Sequence, residues 1–183
     1  MISFKVDKDI ELRLFAEKDA EEILELVRKN YKHLRPFLHW VAEDYSLETA
    51  QSFVGQTQKA LDENTGQTFG IFQCEKIVGV IGFVNFNWQS RRTEIGYWID
   101  KNCEGKGVVT ESCKVLITYA FEELAMNRIE IHCATENIRS RAIPERLNFK
   151  LDGVLRESEW RHTRFFDMAI YSMLAKEWRQ NKK

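Results

Sequence analysis

Two glycines near the middle of the chain are the residues best placed to support chemistry. Gly105 and Gly107 follow the strand-like segment 94–100, and glycine adopts the positive φ that other residues avoid. Successive backbone N–H groups in such a turn can converge on one anion, and a helix starting near Thr110 would add its dipole and unpaired donors. We therefore predict a phosphate-binding turn whose contacts come from the main chain of residues 105–110.

The turn is neither of two common phosphate sites. The chain has no Gly-x-x-x-x-Gly-Lys-Ser/Thr run, and Thr110 stands where the dinucleotide-binding fingerprint requires its third glycine. A Gly-x-Gly pair is weak evidence on its own, because an ordinary loop before a helix can contain the same residues. The turn is interpreted as a pyrophosphate cradle of another kind, with an ordinary loop as the alternative.

Composition predicts a single domain spanning residues 1–183. The 183 residues are 44% apolar and contain no Ser-, Gly- or Pro-rich linker. Lys and Arg number 27 against 28 acidic residues, so no overall basic field favours nucleic acid or an anionic membrane as a partner. With strand-sized apolar runs and no signal-peptide pattern at the start, the chain is expected to be cytoplasmic. A homo-oligomer is left open, because the aromatic residues define no patch.

Cysteine and histidine spacing argues against metal or nucleophilic chemistry. None of the four cysteines forms a Cys-x-x-Cys pair, and the histidines show no ligand spacing; these residues are Cys74, Cys103, Cys113, Cys133, His33, His39, His132 and His162. We predict reduced packing thiols, no metal and no disulfide framework, with Cys103 the one thiol in the candidate loop.

Hydrophobic periodicity and turn residues predict an α/β fold built on a mixed sheet. Asp19 and Glu22 resemble a capping box opening a helix through Val27, and Ser46 is predicted to cap a second helix. The remaining pattern gives strands at 10–15, 68–74, 77–86, 92–99, 128–134, 149–155 and 164–174, with helices at 110–124 and 138–147. The first strands form an antiparallel half, and a β-α-β crossover follows. A ligand then belongs where strands diverge at their carboxyl ends, beside Gly105 and Gly107.

A second polar group follows the strand after the crossover. Asn137 stands at a helix start, where its side chain can either cap the first turn or reach a ligand. Ser140, three residues later, projects from the same end of that helix. Both side chains are therefore expected to face the cleft.

Taken together, these motifs resemble the GCN5-related N-acetyltransferase (GNAT) superfamily, and within it the RimJ/RimL-like branch that acetylates N-terminal amines of ribosomal proteins. The similarity covers most of the chain, through Ile10-Glu-Leu-Arg, Glu94-Ile-Gly-Tyr-Trp, Glu104-Gly-Lys-Gly, Thr110-Glu111, Asn137-x-x-Ser140, Glu145-Arg146-Leu-x-Phe149 and Asp167-Met-x-x-Tyr-Ser. The resemblance implies an acyl-CoA N-acyltransferase fold with splayed central strands. It also implies direct transfer of acetyl from acetyl-CoA to an amine, without a metal.

Roles for individual residues follow from the resemblance and from their places in the pattern. Coenzyme A contacts are expected at Trp98, Ile99, Glu104, Gly105, Lys106, Gly107, Val108, Val109, Thr110, Asn137, Ser140 and Arg146. A backbone N–H near Ile99 would polarise the thioester carbonyl. Ser140 is implied to hydrogen-bond or protonate the departing thiolate. Glu94 is the candidate base, acting through a water, with an ion pair to Arg92 or Arg128 as the structural alternative.

Three residues depart from the family pattern. Asn102 replaces an Arg or Gln three residues before the first glycine, which removes one polar contact. Asn148 replaces a glycine but tolerates the left-handed, helix-ending conformation. Pro144 lacks the N–H that would bond the carbonyl of Ser140, so we predict a kink or an unwound first turn in that helix.

Acceptor recognition is the least determined part of the sequence. Tyr31, Arg35, Phe37, Trp40 and Trp160 are candidates for the walls of an acceptor groove, or equally for packing of helices on the sheet. A protein N-terminus is the expected acceptor. The alternatives are a small amine, such as a polyamine or an antibiotic, and a non-catalytic acyl-CoA-binding module.

Overall fold

A computed structural model describes residues 2–181 and shows one eight-stranded sheet. The strands are β1 (Ser3–Lys5), β2 (Ile10–Leu14), β3 (Gln67–Gln73), β4 (Lys76–Asn87), β5 (Arg92–Ile99), β6 (Arg128–Ala134), β7 (Lys150–Arg161) and β8 (Arg164–Leu174). Their order across the sheet is β1-β2-β3-β4-β5-β6-β8-β7. Only β5 and β6 pair in parallel among these strands, so the predicted mixed sheet is confirmed.

Helices cover both faces of the sheet. They are α1 (Ala20–Lys29), α2 (Tyr31–Leu34), α3 (Leu47–Asp62), α4 (Val108–Glu122), α5 (Ile138–Arg146) and α6 (Ala175–Asn181). One apolar cluster joins α1 and α3 to Phe72, Ile77 and Val80. A larger cluster on the opposite face joins α4 and α5 to β2–β6 and β8. The α4 helix provides the crossover that the parallel β5–β6 pair requires.

The sequence predicted most of these elements, including the start of α1 after Asp19, but not how that start is capped. Ser46 caps α3, since its side chain accepts a hydrogen bond from the Thr49 N–H. The predicted capping box is wrong. Asp19 Oδ2 accepts from the N–H of Ala16 and closes a short 3₁₀ turn, while Glu22 Oε1 accepts from the N–H of Ile77 at 2.8 Å. Glu22 therefore ties α1 to the start of β4 rather than capping its own helix.

The central strands separate where the sequence places the ligand turn. Parallel pairing of β5 and β6 stops at Glu94 and Glu130, although the two strands continue to Ile99 and Ala134. On its other edge β5 stays close to β4, because a Cβ on Gly79 would lie 2.5 Å from the Trp98 carbonyl oxygen. The carboxyl half of β5 thus remains in the sheet while a cleft opens on its β6 side.

Candidate active site

The glycine turn leaves a set of backbone donors without protein partners. Gly105 has φ 71° and Gly107 has φ 80°, and α4 begins at Val108, two residues earlier than predicted. The first helical bond runs from the Glu111 N–H to the Gly107 carbonyl at 2.9 Å. Within residues 2–181, no protein acceptor receives the N–H groups of 105–110. These groups form the N-terminal donor set of a 15-residue helix, which favours an anion.

Side chains of the turn contribute little to that donor set. Val108 and Val109 are buried in the core beneath α4. Gly105, Lys106 and Gly107 are exposed. A ligand at the turn would therefore meet backbone N–H groups, with Lys106 as the nearby exposed cation.

The end of α1 fixes the segment that leads into the turn. Lys29 Nζ lies 2.6 Å from Asp100 Oδ2, and Asn30 Oδ1 accepts the Lys101 N–H at 2.9 Å. Asp100 Oδ1 also accepts the N–H of Asn102 at 2.9 Å. Burial of Asp100 opposes its ionisation, but the Lys29 ammonium and these donors outweigh burial and lower the pKa of the carboxyl. Asn102, the departure from the family pattern, thus has a backbone role here.

Glu104 links α2 and α5 across the turn. Its carboxylate lies 3.1 Å from His33 Nε2 on α2 and 2.5 Å from Arg139 Nη1 on α5. Both oxygens are therefore engaged by the protein. Glu104 holds α2 and α5 beside the turn, and its contact with coenzyme A stays a prediction.

The backbone of β5 directs alternate N–H groups into the cleft. The Asp100 N–H donates to the Val78 carbonyl at 2.7 Å, so it faces β4. Amides alternate along a strand, and the N–H of Ile99 therefore faces the opposite edge, from which β6 has separated. This is the position predicted for a donor to the thioester oxygen.

A carboxylate and a histidine lie together on the α1/α3 face of the cleft. Glu94 Oε2 is 3.4 Å from His132 Nδ1, and His132 Nε2 is 2.9 Å from Glu130 Oε2. Arg128 Nε and Arg92 Nη1 both pair with Glu130, at 2.7 and 3.6 Å. The alternative interpretation, an ion pair between Glu94 and Arg92 or Arg128, is therefore wrong. Both arginines pair with Glu130, and the partner of Glu94 is His132.

The surroundings of Glu94 favour its protonated form. Burial raises the pKa of Glu94 most, and repulsion from Glu130 and Glu159 adds to this, whereas His132 opposes it. Glu130 is itself held ionised: its burial is outweighed by Arg128 and His132, which lower the pKa of its carboxyl. An ionised Glu130 accepts from His132 Nε2–H, which leaves His132 Nδ1 directed at Glu94.

Ser140 lies on the opposite face of the cleft, within a small group of hydroxyl and thiol side chains. Its Oγ is 3.2 Å from Cys133 Sγ on β6 and 3.4 Å from the hydroxyl of Tyr97 on β5. Its N–H donates to Asn137 Oδ1 at 3.1 Å, so Asn137 caps α5. Burial raises the pKa of Cys133 and raises that of Tyr97 well above its usual value. Both groups are therefore protonated at neutral pH.

Sequence reasoning missed His132, Tyr97 and Cys133. The alternation of β5 and β6 contained a signal: Glu94 and His132 fall on one face, whereas Tyr97 and Cys133 fall on the other. Periodicity could not show that these strands would be neighbours at that register.

Pro144 is accommodated without unwinding α5. The helix is continuous from Ile138 to Arg146, so the predicted unwound turn is wrong, whereas the predicted kink stays a prediction. The Ser140 carbonyl, which Pro144 cannot bond, accepts a hydrogen bond from the Tyr97 hydroxyl at 3.0 Å.

Beyond the helix, Asn148 has φ 61°, as predicted. Arg146 lies exposed in the last turn, about 13 Å along the helix from Asn137 at 1.5 Å per residue.

The two segments that hold the candidate groove residues contact each other. Phe37 packs against Phe166 and Met168, and His162 Nε2 on the β7–β8 turn lies 3.2 Å from the Leu38 carbonyl. These contacts bring segment 31–40 onto the β7–β8 hairpin. Phe37 therefore packs between elements, which was one of its two interpretations.

The other aromatic candidates divide between packing and exposure. Trp40 and Trp98 have ring centroids 6.0 Å apart, and both pack on the α1/α3 cluster. Tyr31 is partly buried beneath the Arg35 guanidinium, 6.0 Å from its ring centre. Trp160 is 56% exposed and stacks edge-on against Phe165. Trp160 is thus the most exposed aromatic candidate for binding a partner.

The described residues show neither a membrane span nor a metal cluster. Over residues 2–181, no helix combines the length and apolar character needed to cross a bilayer. The same residues contain no group of three His, Cys, Asp or Glu side chains suited to a metal ion.

Comparison with known proteins identifies the class. Residues 9–150 match the model of the acetyltransferase (GNAT) domain family. The chain therefore belongs to the GNAT acetyltransferases and is an N-acetyltransferase. It is 36% identical, over the full length of both chains, to YdaF of Bacillus subtilis (strain 168), which carries the name of a ribosomal N-acetyltransferase. Ribosomal-protein-serine acetyltransferase of Escherichia coli (strain K12) is 26% identical, covering 94% of this chain and 96% of the relative.

Solved structures agree with this family. RimL, a ribosomal L7/L12 alpha-N-protein acetyltransferase in complex with coenzyme A, superposes with a TM-score of 0.91 and is 25% identical, covering 94% of this chain and 98% of RimL. Microcin C7 self-immunity acetyltransferase MccE, in complex with acetyl-CoA and AMP, superposes with a TM-score of 0.89 and is 30% identical. The match covers 93% of this chain and 95% of MccE. The acyl-CoA N-acyltransferase fold with a mixed, splayed sheet is thereby confirmed.

Proposed function

We propose that this protein transfers acetyl from acetyl-CoA to the N-terminal α-amine of a ribosomal protein. The cleft between β5 and β6 carries this proposal, because its two faces hold different chemistry. Unpartnered N–H groups of 105–110 and Ser140 lie on the α4/α5 face, whereas Glu94 and His132 lie on the other. The names of YdaF, the E. coli relative and RimL support the ribosomal acceptor. Such an acceptor implies a cytoplasmic reaction.

Backbone groups would bind and polarise the donor. The N–H groups of 105–110 would hold the pyrophosphate of coenzyme A, with Lys106 adding positive charge at the exposed side. The Ile99 N–H, directed into the gap, would stabilise the oxygen of the tetrahedral intermediate. These contacts need no particular side chain, since the fold itself orients the donors.

Proton transfer would use the two faces separately. An α-amino group has an ordinary pKa of about 8, so it must lose a proton before it attacks. Glu94, with its raised pKa, would accept that proton through a water, and His132 Nδ1 at 3.4 Å extends the path. The amine then forms a C–N bond with the acetyl carbon, and collapse of the tetrahedral intermediate breaks the C–S bond while the nitrogen releases its second proton to water. Ser140 would hydrogen-bond the departing thiolate, which takes its proton from that hydroxyl or from water.

A small-molecule acceptor is the second candidate. MccE, a self-immunity acetyltransferase whose structure contains AMP beside acetyl-CoA, shares the fold at 30% identity. Against this candidate, Trp160 and Phe165 on the β7–β8 hairpin are exposed, and apolar groups there would suit a peptide. Turnover measured with a panel of acceptors distinguishes a peptide acceptor from a small-molecule acceptor.

Thiol release from acetyl-CoA measures this function directly. Acceptors would be peptides with the N-terminal sequences of ribosomal proteins, polyamines and aminoglycosides. We expect turnover with a subset of the peptides, and turnover only with small amines would contradict the proposed acceptor. Stabilisation by acetyl-CoA without thiol release from any amine would instead indicate a non-catalytic module.

The catalytic assignments need matched variants. Glu94→Gln and Ser140→Ala are each expected to lower kcat by tenfold or more, about 1.4 kcal/mol of barrier. Glu63→Gln removes an exposed carboxylate just after α3 that pairs only with Lys59, and it is expected to leave kcat unchanged. If both Glu94→Gln and Ser140→Ala stay within about threefold of the parent, about 0.7 kcal/mol, these assignments are wrong.

A further inference from the structure

The Tyr97 hydroxyl takes the place of the backbone donor that Pro144 removes from α5. We infer that this hydrogen bond positions Ser140 for catalysis, so that Tyr97 and Pro144 act as one unit. The inference rests on the proposed role of Ser140 and assigns a positioning function to a residue on a different element. Tyr97 would act through Ser140, not on the reacting atoms.

Helix geometry supplies the first step. In an uninterrupted α-helix, the carbonyl of residue 140 accepts the N–H of residue 144. Proline has no such N–H, and its ring crowds the same carbonyl. Nevertheless α5 is continuous through Pro144, and Pro144 is itself buried. The Ser140 carbonyl lies in a part-buried position, where an unpaired carbonyl is costly, so another donor is required.

Tyr97 meets that requirement from outside the helix. Its Oη donates to the Ser140 carbonyl at 3.0 Å, across a gap of 43 residues in sequence. Burial keeps the hydroxyl protonated, since it raises the pKa of Tyr97 well above its usual value. The bond joins β5 to α5 at the point where β5 has lost β6 as a neighbour.

The same two residues also meet through their side chains. Ser140 Oγ lies 3.4 Å from Tyr97 Oη and 3.2 Å from Cys133 Sγ. The Tyr97 hydrogen is used on the Ser140 carbonyl, so Tyr97 Oη acts as an acceptor toward the serine hydroxyl. The position of the Ser140 side chain is thus fixed by its own carbonyl bond, by the Asn137 cap at its N–H and by β6.

A family chain without proline at this position would bond the carbonyl within the helix. In this chain the first turn of α5 depends instead on a side chain from β5. Loss of the Tyr97 hydroxyl should therefore let the Ser140 turn shift, which would misplace the hydroxyl relative to the sulfur of coenzyme A. A displacement of that kind lowers kcat more than it raises KM.

The decisive experiment compares Tyr97→Phe in two backgrounds. With Pro144 present, Tyr97→Phe is expected to lower kcat about tenfold, with less than a threefold change in KM for acetyl-CoA. Pro144→Ala restores a backbone N–H at residue 144, which can donate to the Ser140 carbonyl. In that background, Tyr97→Phe should lower kcat less than threefold. Each comparison uses its own parent, so the effect of Pro144→Ala alone cancels.

The rescue distinguishes positioning from direct proton transfer. If the tyrosine hydroxyl protonated the thiolate itself, an N–H at residue 144 could not replace it. Equal losses of kcat in both backgrounds would therefore overturn the inference. No loss of kcat in the Pro144 background would overturn it as well.

Two further measurements separate this inference from the proposed function. In a Ser140→Ala parent, Tyr97→Phe should change kcat less than threefold, because the positioned hydroxyl is already absent. Melting temperatures report the hydrogen bond without catalysis: Tyr97→Phe should lower Tm by about 2–4 °C more with Pro144 than with Ala at that position. Wild-type turnover of Ser140→Ala together with this Tm difference would refute the catalytic role of Ser140 and retain the bond. Equal Tm losses in both backgrounds would refute the bond.

Discussion

At the residue scale, backbone conformation at Gly107 links the sequence most directly to the site. Its φ of 80° lies in the left-handed region, and its N–H belongs to the unpartnered donor set. A Cβ there would touch nothing within 4 Å, so the constraint is conformational and not steric crowding by neighbours.

Gly107→Ala therefore tests conformation alone. We expect a loss of about 1–2 kcal/mol in the free energy of unfolding, which is the cost of a left-handed alanine, and weaker binding of coenzyme A. Gly55→Ala is the matched control, because Gly55 lies within α3 with equally free space and should gain about 0.5–1 kcal/mol. Urea denaturation and calorimetric titration would measure both quantities. Equal stability changes for the two variants would contradict this account of the turn.

Glu94 gives the residue-scale prediction for pH. A base works in its deprotonated form, and burial of Glu94 favours protonation, so the acid limb of kcat should lie above the ordinary Glu value of 4.5. Glu159→Gln removes a repelling carboxylate and should move that limb to lower pH. Glu94→Gln should abolish it. The measurement is kcat against pH at saturating acceptor, and a limb that moves upward in Glu159→Gln would exclude Glu94 as its source.

At the element scale, the contact between α1 and the β5–α4 segment sets the position of the turn. Lys29 belongs to the last turn of α1, and Asp100 immediately follows β5. The two elements are far apart in sequence, so this ion pair ties the entry to the turn to a helix on the other face of the sheet from α4.

Lys29→Met should weaken that contact. The pKa of Asp100 is lowered in the folded protein, so its contribution to stability is present above the unfolded value, near 3.8, and is lost as pH falls through the lower folded value. We expect a lower Tm for Lys29→Met at pH 7 and a shrinking difference from the parent below about pH 3.8. Lys59→Met provides the control, since Lys59 forms only an exposed pair within α3. An undiminished difference at pH 2.5 would show that the pair is not the cause.

The elements also show which local signals were sufficient. The β3–β4 hairpin followed from two alternating segments around a short turn, where Cys74 and Glu75 both adopt positive φ. The capping box failed because Glu22 found a partner on β4, 55 residues away. A spacing rule predicts local bonds, and a distant N–H can compete for the same carboxylate.

At the scale of the whole molecule, the open cleft predicts linkage between stability and ligand. Coenzyme A that binds only the folded protein should stabilise it by about 2.7 kcal/mol at 100 times its Kd. For a chain of this length, that corresponds to a rise in Tm of about 5–11 °C. Pantetheine, which lacks the pyrophosphate, should stabilise far less at the same concentration. Equal stabilisation by both ligands would contradict pyrophosphate binding at 105–110.

The sequence by itself determined the order of most strands and helices, the glycine turn and the Asn137–Ser140 helix start. These features depend on residues close together in the chain, through side-chain periodicity, glycine conformation and capping. The sequence did not reveal β1, α6 or the full length of β7. The residues of β7 are exposed along almost all of the strand, so they show no clear alternation of apolar and polar side chains.

Only the tertiary structure decided which distant groups share the cleft. The pairing of β5 with β6 placed His132, not an arginine, beside Glu94, and the packing of α5 on β5 gave the Ser140 carbonyl the Tyr97 hydroxyl. Local sequence shows that Pro144 leaves a carbonyl without its helical donor. Which group fills that place depends on strand register and helix packing, which involve residues more than 40 positions apart.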